Sequence, residues 1–128
     1  SGFEGKSARG ITADTTNMIV VFEPEGKATY DFKEKNWSVQ KGSNWNRAIY
    51  QEGNNDFWVG SLNLMTHWKN GSQKDYIINN IVNNRDFSVD IWNILPSQTS
   101  QNKLWLELRK LHKKRCTLLR VILAIKVC

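Results

Sequence analysis

Two histidines, His67 and His112, are the side chains of this 128-residue chain best suited to proton transfer near neutral pH. A metal-independent nuclease needs a general base, a general acid and a cation that stabilises the charge on a pentavalent phosphate. The two histidines suit the first two roles, and Arg109, Lys113 and Arg115 suit the third. No local motif joins these residues, so they define an enzymatic hypothesis of the ribonuclease type and not a recognised site.

Positive charge is concentrated at the C-terminal end. Residues 101–128 hold eight Lys and Arg and one acid, whereas residues 1–100 hold ten Lys and Arg and eleven acids. Four ligand-binding candidates lie there: Arg109, Lys113, Lys114 and Arg115. Clustered cations attract nucleic-acid phosphates and anionic lipid headgroups. Residues 109–115 therefore predict an anionic surface or a nucleic acid as partner, and the alternative is a solvated end of a helix.

Aromatic residues form the second candidate site. Trp45, Tyr50, Trp58 and Trp68 fall among abundant asparagines, including Asn44 and Asn46 within one short stretch. Aromatic rings cover the apolar faces of a sugar or headgroup, and amides satisfy its hydroxyl groups. The pattern predicts that these four aromatic residues bind a glycan, a lipid headgroup or a host protein. The alternative is that they fill the core of a β-rich domain.

The sequence predicts no cofactor and no metal site. It contains no Gly-rich phosphate loop and no nucleophile elbow. Asp90 with Glu107-Leu108-Arg109 approaches the carboxylate pattern of metal-dependent nucleases, but Arg stands where Lys is expected. The two cysteines, Cys116 and Cys128, are too far apart on an extended strand to form a disulfide, so pairing requires a turn between them.

Turn signals recur about every ten residues, a spacing typical of antiparallel sheets. They are Pro24-Glu25-Gly26, Gly42-Ser43-Asn44, Gly53-Asn54-Asn55 and Asn70-Gly71. Between the last two signals, residues 57–68 suggest one long strand with a bulge at Gly60-Ser61. The spacing predicts a mainly β fold, with α+β as the alternative. We expect an antiparallel β-sandwich or a barrel-like domain.

One helix is predicted near the C-terminus, over residues 103–115. Leu104, Leu108 and Leu111 follow helical spacing, although the alternation of Leu104, Leu106 and Leu108 makes a strand the alternative. The apolar run 118–127 then predicts a buried strand, because Arg120 and Lys126 interrupt it and exclude a membrane-spanning helix. We expect residues 1–17 to be loose and residues 18–128 to form a single β-rich domain ending in this basic helix and strand.

Two functions follow as hypotheses. The start at Ser1 indicates processing, and the few cysteines and the Trp- and Asn-rich strands favour a secreted, non-catalytic effector or binding module. Such a virulence factor would act on another organism's protein, glycan or membrane. The alternative is a basic nuclease toxin domain cut from a larger carrier, so an enzyme is the second choice.

Overall fold

The structure is a computed structural model that describes residues 6–23, 26–41, 46–78, 88–98, 103–112 and 115–126, with the backbone alone at residue 88 and from residue 109 onward. Eleven strands occur in these ranges, and all pair antiparallel. They are β1 (Ser7–Ala13), β2 (Asn17–Glu23), β3 (Lys27–Asp31), β4 (Asn36–Gln40), β5 (Ala48–Gly53), β6 (Asp56–Gly60), β7 (Leu64–Lys69), β8 (Ser72–Ile77), β9 (Ser88–Pro96), β10 (Lys103–His112) and β11 (Arg115–Lys126). The predicted mainly β, antiparallel fold class is confirmed.

The strands form three sheets, and each sheet follows chain order. Sheet A is β1-β2-β3-β4, sheet B is β5-β6-β7-β8, and sheet C is β9-β10-β11. Tight turns produce this order, as Asn70-Gly71 illustrates. Lys69 pairs with Ser72, and Asn70 and Gly71 both have positive φ angles, of 50° and 81°. This is the combination that a two-residue type I′ hairpin requires.

Sheet B packs on both of its faces because side chains alternate along its strands. Phe57 and Val59 of β6 contact Ile19 and Val21 of sheet A. On the other face, Trp58 joins a cluster with sheet C that also contains Met65, Val89, Ile91, Ile94, Leu104, Leu106 and Leu108. These two apolar contacts hold the three sheets together.

Arg47, just before β5, connects all three sheets through charge. Its Nη1 lies 2.8 Å from Glu23 Oε2 in sheet A, and its Nε lies 3.1 Å from Asp90 Oδ2 in sheet C. Arg9 pairs with the same Glu23 carboxylate. Asp90 is 2% exposed, and this burial raises its pKa although the Arg47 charge opposes the shift. The network therefore fixes the relative positions of the sheets at the cost of a buried carboxylate.

Asp14 ties the β1–β2 turn to the β5–β6 turn. Its Oδ1 accepts hydrogen bonds from the backbone N–H groups of Thr16 and Asn17, at 2.7 and 2.8 Å. Its Oδ2 accepts one from Asn55 N at 2.9 Å. Partial burial raises the pKa of Asp14, but these hydrogen bonds outweigh it and leave the pKa lowered. One carboxylate thus joins sheets A and B at their turns.

Three expectations about local structure differ from what is observed. Over residues 103–112 the structure has strand β10 instead of the predicted helix. Leu104, Leu106 and Leu108 are buried and Trp105 is exposed, which is the period of two of a strand. Residues 7–13, within the segment expected to be loose, form β1, because their backbone groups pair with β2.

The third difference concerns residues 57–68, which fold as a hairpin and not as one bulged strand. β6 ends at Gly60, β7 starts at Leu64, and Ser61 N donates a hydrogen bond to Leu64 O at 2.9 Å. Asn63 adopts the positive φ of 58° that closes this turn. Among the described residues, no helix is both long and apolar enough to cross a membrane.

Candidate functional site: a cleft between sheets A and B

A cleft of about 270 Å³ opens between sheets A and B. Its lining combines a few apolar side chains with polar and charged groups from both sheets. The residues are Val21, Gly26, Lys27, Gln40, Lys41, Asn46, Val59, Thr66, Trp68, Gln73 and Asp75. A concave site with several convergent polar groups can hold a small polar ligand. The cleft is therefore the candidate binding site.

Lys27, one of the two lysines that line the cleft, lies over an aromatic ring. Lys27 Nζ is 3.8 Å from the centroid of the Trp68 ring and 5.2 Å from that of Phe57. The Trp68 and Phe57 rings stack at 6.2 Å with an interplanar angle of 10°. Burial lowers the pKa of Lys27. Among the described residues no carboxylate forms an ion pair with this ammonium group, so an anionic ligand group would meet a partly desolvated cation.

The register of the strands explains why Lys27 faces sheet B. Lys27 pairs with Val21 across β2 and β3, and residues that pair lie on the same face of a sheet. Val21 contacts sheet B through Phe57 and Val59. Lys27 is therefore directed to the interface between the sheets although its residue type is typical of the surface.

The opposite wall of the cleft carries an ordered carboxylate. Thr66 Oγ1 and Gln73 Nε2 each donate a hydrogen bond of 3.0 Å to Asp75 Oδ1. Thr66 and Asp75 are direct cross-strand partners in sheet B. On the side of sheet A, Asn46 Nδ2 donates a hydrogen bond of 2.9 Å to Gly26 O. The cleft thus offers a fixed acceptor and fixed amides opposite the cation.

The three predicted aromatic residues that the structure describes, Tyr50, Trp58 and Trp68, do not meet in one site. Trp68 lines the cleft, whereas Trp58 is fully buried in the cluster between sheets B and C. Tyr50 is partly buried against that same cluster, and burial, with the charges of two nearby carboxylates, raises its pKa. Trp45 lies outside the described residues. Trp58 therefore contributes to the core, as the alternative interpretation of this aromatic set proposed.

His67 lies beside a carboxylate on sheet B. Its Nε2 is 2.5 Å from Asp56 Oδ1, and its ring stacks on Trp58 with centroids 4.0 Å apart. His112 is on β10 of sheet C, where it pairs with Arg115, and its side chain is outside the described part. The two histidines therefore belong to different sheets.

The side chains of the basic candidate residues lie outside the described part of the structure. Lys113 and Lys114 lie outside the described residues, and the structure describes Arg109 on β10 and Arg115 on β11 by their backbone alone. Arg115 pairs with His112 at one end of the β10–β11 ladder. The basic cluster remains a hypothesis based on the sequence.

Lys27 and Asp75 are cleft residues that sequence reasoning did not select. Lys27 falls in a segment where polar and apolar residues alternate, a pattern typical of strands whose polar residues face the solvent. Both faces of the paired strands β2 and β3 are in fact buried near this end, because Val20, Phe22 and Ala28 form a cluster opposite Val21. The signal that could have identified Lys27 was an ionisable side chain on a strand whose two faces are both buried.

A separate group of aromatic residues lies at the surface of sheet A. The ring of Tyr30 is 5.9 Å from that of Phe32 and 5.1 Å from that of Trp37. Phe32 and Trp37 are 43% and 45% exposed. None of the three lines the cleft, so they serve as a matched reference when the cleft is tested.

The chain matches no protein-family model, and no curated protein or solved structure is significantly similar to it.

Proposed function

We propose that this chain is a sandwich-like, non-catalytic binding module whose A–B cleft binds a short anionic glycan. The observation that carries the proposal is the Lys27 ammonium group held over the Trp68 ring inside a polar cleft. A partly desolvated ammonium group suits a carboxylate or sulfate on a sugar, and the amides of the cleft lining suit its hydroxyl groups.

The size and polarity of the cleft favour a small polar ligand over a protein segment. Its volume of 270 Å³ is close to the lower end of ligand pockets, which span about 300–1,000 Å³. Gln40, Gln73 and Asp75 supply both donors and acceptors along its walls. One or two sugar units fit these properties better than an extended apolar peptide.

Secretion and action on another organism belong to the same proposal. They are supported by the Trp- and Asn-rich composition of the strands, which suits recognition of an external glycan. The proposed role is that of an effector that binds a host glycan without modifying it.

Calorimetric titration with acidic and neutral oligosaccharides tests the proposal. We expect binding of uronic-acid or sulfated sugars, weaker binding of neutral sugars, and at least tenfold lower affinity in Lys27→Met and Trp68→Ala. Lys74→Met is the matched control, because Lys74 Nζ also lies over a ring of sheet B, 5.1 Å from Tyr76, but does not line the cleft. Equal affinity of Lys27→Met and the wild type would contradict the proposal.

A nuclease is the second candidate, and the contact between His67 and Asp56 favours it. A carboxylate 2.5 Å from an imidazole nitrogen holds the ring in a fixed orientation, which a general base needs. The cation for the phosphate would come from residues 109–115. We would incubate the protein with RNA and plasmid DNA, with and without divalent metal. If the wild type cleaves nucleic acid and the His67→Ala/His112→Ala variant does not, the protein is a nuclease and the non-catalytic assignment is wrong. Absence of cleavage by the wild type would exclude the nuclease hypothesis.

A further inference from the structure

The other face of sheet B carries a cluster of potential metal ligands. Glu52, Asp56 and His67 each offer one ligand atom, and these atoms all lie within 4.8 Å of one another. We infer that these three residues bind a divalent transition-metal ion such as Zn²⁺. The inference is independent of the proposed glycan site, because His67 and Trp68 are successive residues of a strand and point to opposite faces.

Strand pairing brings the three ligands together from adjacent strands. Gly53 of β5 pairs with Asp56 of β6, and Trp58 of β6 pairs with His67 of β7. The β5–β6 register shifts between Gln51 and Gly53, so Glu52 is the extra residue of a β-bulge. Bulges redirect a side chain and are frequent beside functional sites. The irregularity places the Glu52 carboxylate next to the other two ligands.

The chemistry of the ligands selects the metal. One imidazole nitrogen and two carboxylate oxygens form a donor set that suits Zn²⁺ and its neighbours, whereas Mg²⁺ and Ca²⁺ prefer oxygen ligands alone. Two carboxylates with a neutral imidazole carry a charge of about −2, which a divalent ion balances. Lys69 Nζ, 4.0 Å from Asp56 Oδ2 and largely exposed, is the local cation that the ion would compete with.

The distances require small movements of the side chains. In a tetrahedral site with Zn²⁺ bonds of about 2.1 Å, the ligand atoms lie about 3.4 Å apart. The cluster is therefore close to coordination geometry, and the exposed Glu52 can close the remaining gap. His67 Nε2 and Asp56 Oδ1, 2.5 Å apart, would give up their direct contact and move apart when both bind the ion.

Trp58 supports two of the three ligands from the core. Its Nε1 donates a hydrogen bond of 2.8 Å to Glu52 Oε2, and its ring stacks on His67 with an interplanar angle of 2°. Trp58 itself is fully buried, which fixes both contacts. Metal sites typically rely on such surrounding contacts to orient their ligands.

Titration of the chelator-treated protein with Zn²⁺, Co²⁺ and Mg²⁺ tests the inference. We expect one Zn²⁺ per chain, a visible absorption band with Co²⁺, and no displacement by an equal concentration of Mg²⁺. His67→Gln should lower Zn²⁺ affinity at least tenfold, and Asp56→Asn should act in the same direction. His112→Gln is the matched control, because it removes the other histidine of the chain.

A second measurement covers the case in which a variant fails to fold. In the wild-type protein, Ni²⁺ should broaden the NMR signals of Glu52, Asp56 and His67 before those of His112. Broadening centred on His112, equal Zn²⁺ affinity in His67→Gln and the wild type, or absence of Zn²⁺ binding would each overturn the inference. Loss of glycan binding in Lys27→Met bears on the cleft alone, so the two proposals fail separately.

Discussion

Replacing Lys27 by methionine should stabilise the protein while removing ligand binding. Lys27 is a partly buried cation whose pKa is lowered by burial, so its charged form is less stable in the folded protein than in the unfolded chain. Methionine has a side chain of similar length and no charge. Its terminal thioether would take the place of the ammonium group over the Phe57 and Trp68 rings.

The magnitude follows from three contributions. Lys27→Met removes a cation–π contact worth about 0.5–2 kcal/mol and adds a sulfur–aromatic contact worth about 0.3–1.5 kcal/mol. It also removes the cost of desolvating the ammonium group, which lowers the pKa of Lys27 and which we expect to exceed the difference between the two aromatic contacts. Solvent screens part of this cost at a site that is not fully buried. We therefore expect the free energy of unfolding at neutral pH to rise by about 1 kcal/mol.

The pH dependence has a definite sign. Because the folded pKa of Lys27 lies below its ordinary value of 10.5, the unfolded chain binds the proton more tightly. The stability of the wild type relative to Lys27→Met should therefore increase as pH rises from the folded pKa to 10.5. Urea unfolding of both proteins at several pH values between 7 and about 10.5 measures this difference.

Lys74→Met serves as the control for stability as well as for binding, since Lys74 also lies over a ring. Because Lys74 is exposed, its replacement should change the free energy of unfolding by less than about 0.5 kcal/mol. A loss of more than about 1 kcal/mol in Lys27→Met would refute the reasoning. It would mean that the ammonium group stabilises the fold and is not held there at a cost.

Three further substitutions test how the sheets are joined. Asp14→Ala should lower the free energy of unfolding by about 2 kcal/mol, because several hydrogen bonds to one carboxylate are lost. In urea unfolding, the difference in stability between this variant and the wild type should shrink as pH falls below 3.8. Gly60→Ala should lower the free energy of unfolding by about 1–3 kcal/mol, because the new Cβ would lie 2.5 Å from Ile91 Cγ2. Gly53→Ala is the control: its Cβ would have no contact closer than 3.9 Å, so the loss of stability should be smaller. Burial raises the pKa of Asp90 in the folded protein. The stability of the wild type relative to Asp90→Asn should therefore fall as pH rises from 3.8 to that raised pKa, and thermal unfolding of both proteins measures the difference. An equal cost for the two glycine substitutions, or pH-independent differences for either Asp variant, would contradict these assignments.

Local signals in the sequence predicted the turn between β7 and β8 but not the identity of every strand. Asn70-Gly71 specifies its turn by itself, since both residues adopt positive φ at low cost. Leu104 and Leu108 are four residues apart, which suits one face of a helix and one face of a strand equally well. The burial of Leu106 together with Leu104 and Leu108 distinguishes a strand from a helix. That burial depends on the pairing of β10 with β9 and β11.

The candidate site depended on contacts that no local pattern contains. Lys27 and Trp68 are far apart in the chain and meet through the packing of sheet A on sheet B. Trp58 and Trp68 are similar as residues of the sequence, yet one is buried and the other lines the cleft. The β6–β7 register causes this difference, because it pairs Trp68 with Phe57 and Trp58 with His67. That register required the turn before Leu64, which was expected to be a bulge.

The most direct test of the proposed function is the affinity of one acidic oligosaccharide, a uronic-acid disaccharide, for the wild type, Lys27→Met and Lys74→Met, measured by calorimetry. The account predicts binding by the wild type and Lys74→Met with similar affinity, and at least tenfold weaker binding by Lys27→Met, a loss of at least about 1.4 kcal/mol. Binding that is equal in all three proteins, or weakened by Lys74→Met instead, would contradict the assignment of the cleft as the ligand site.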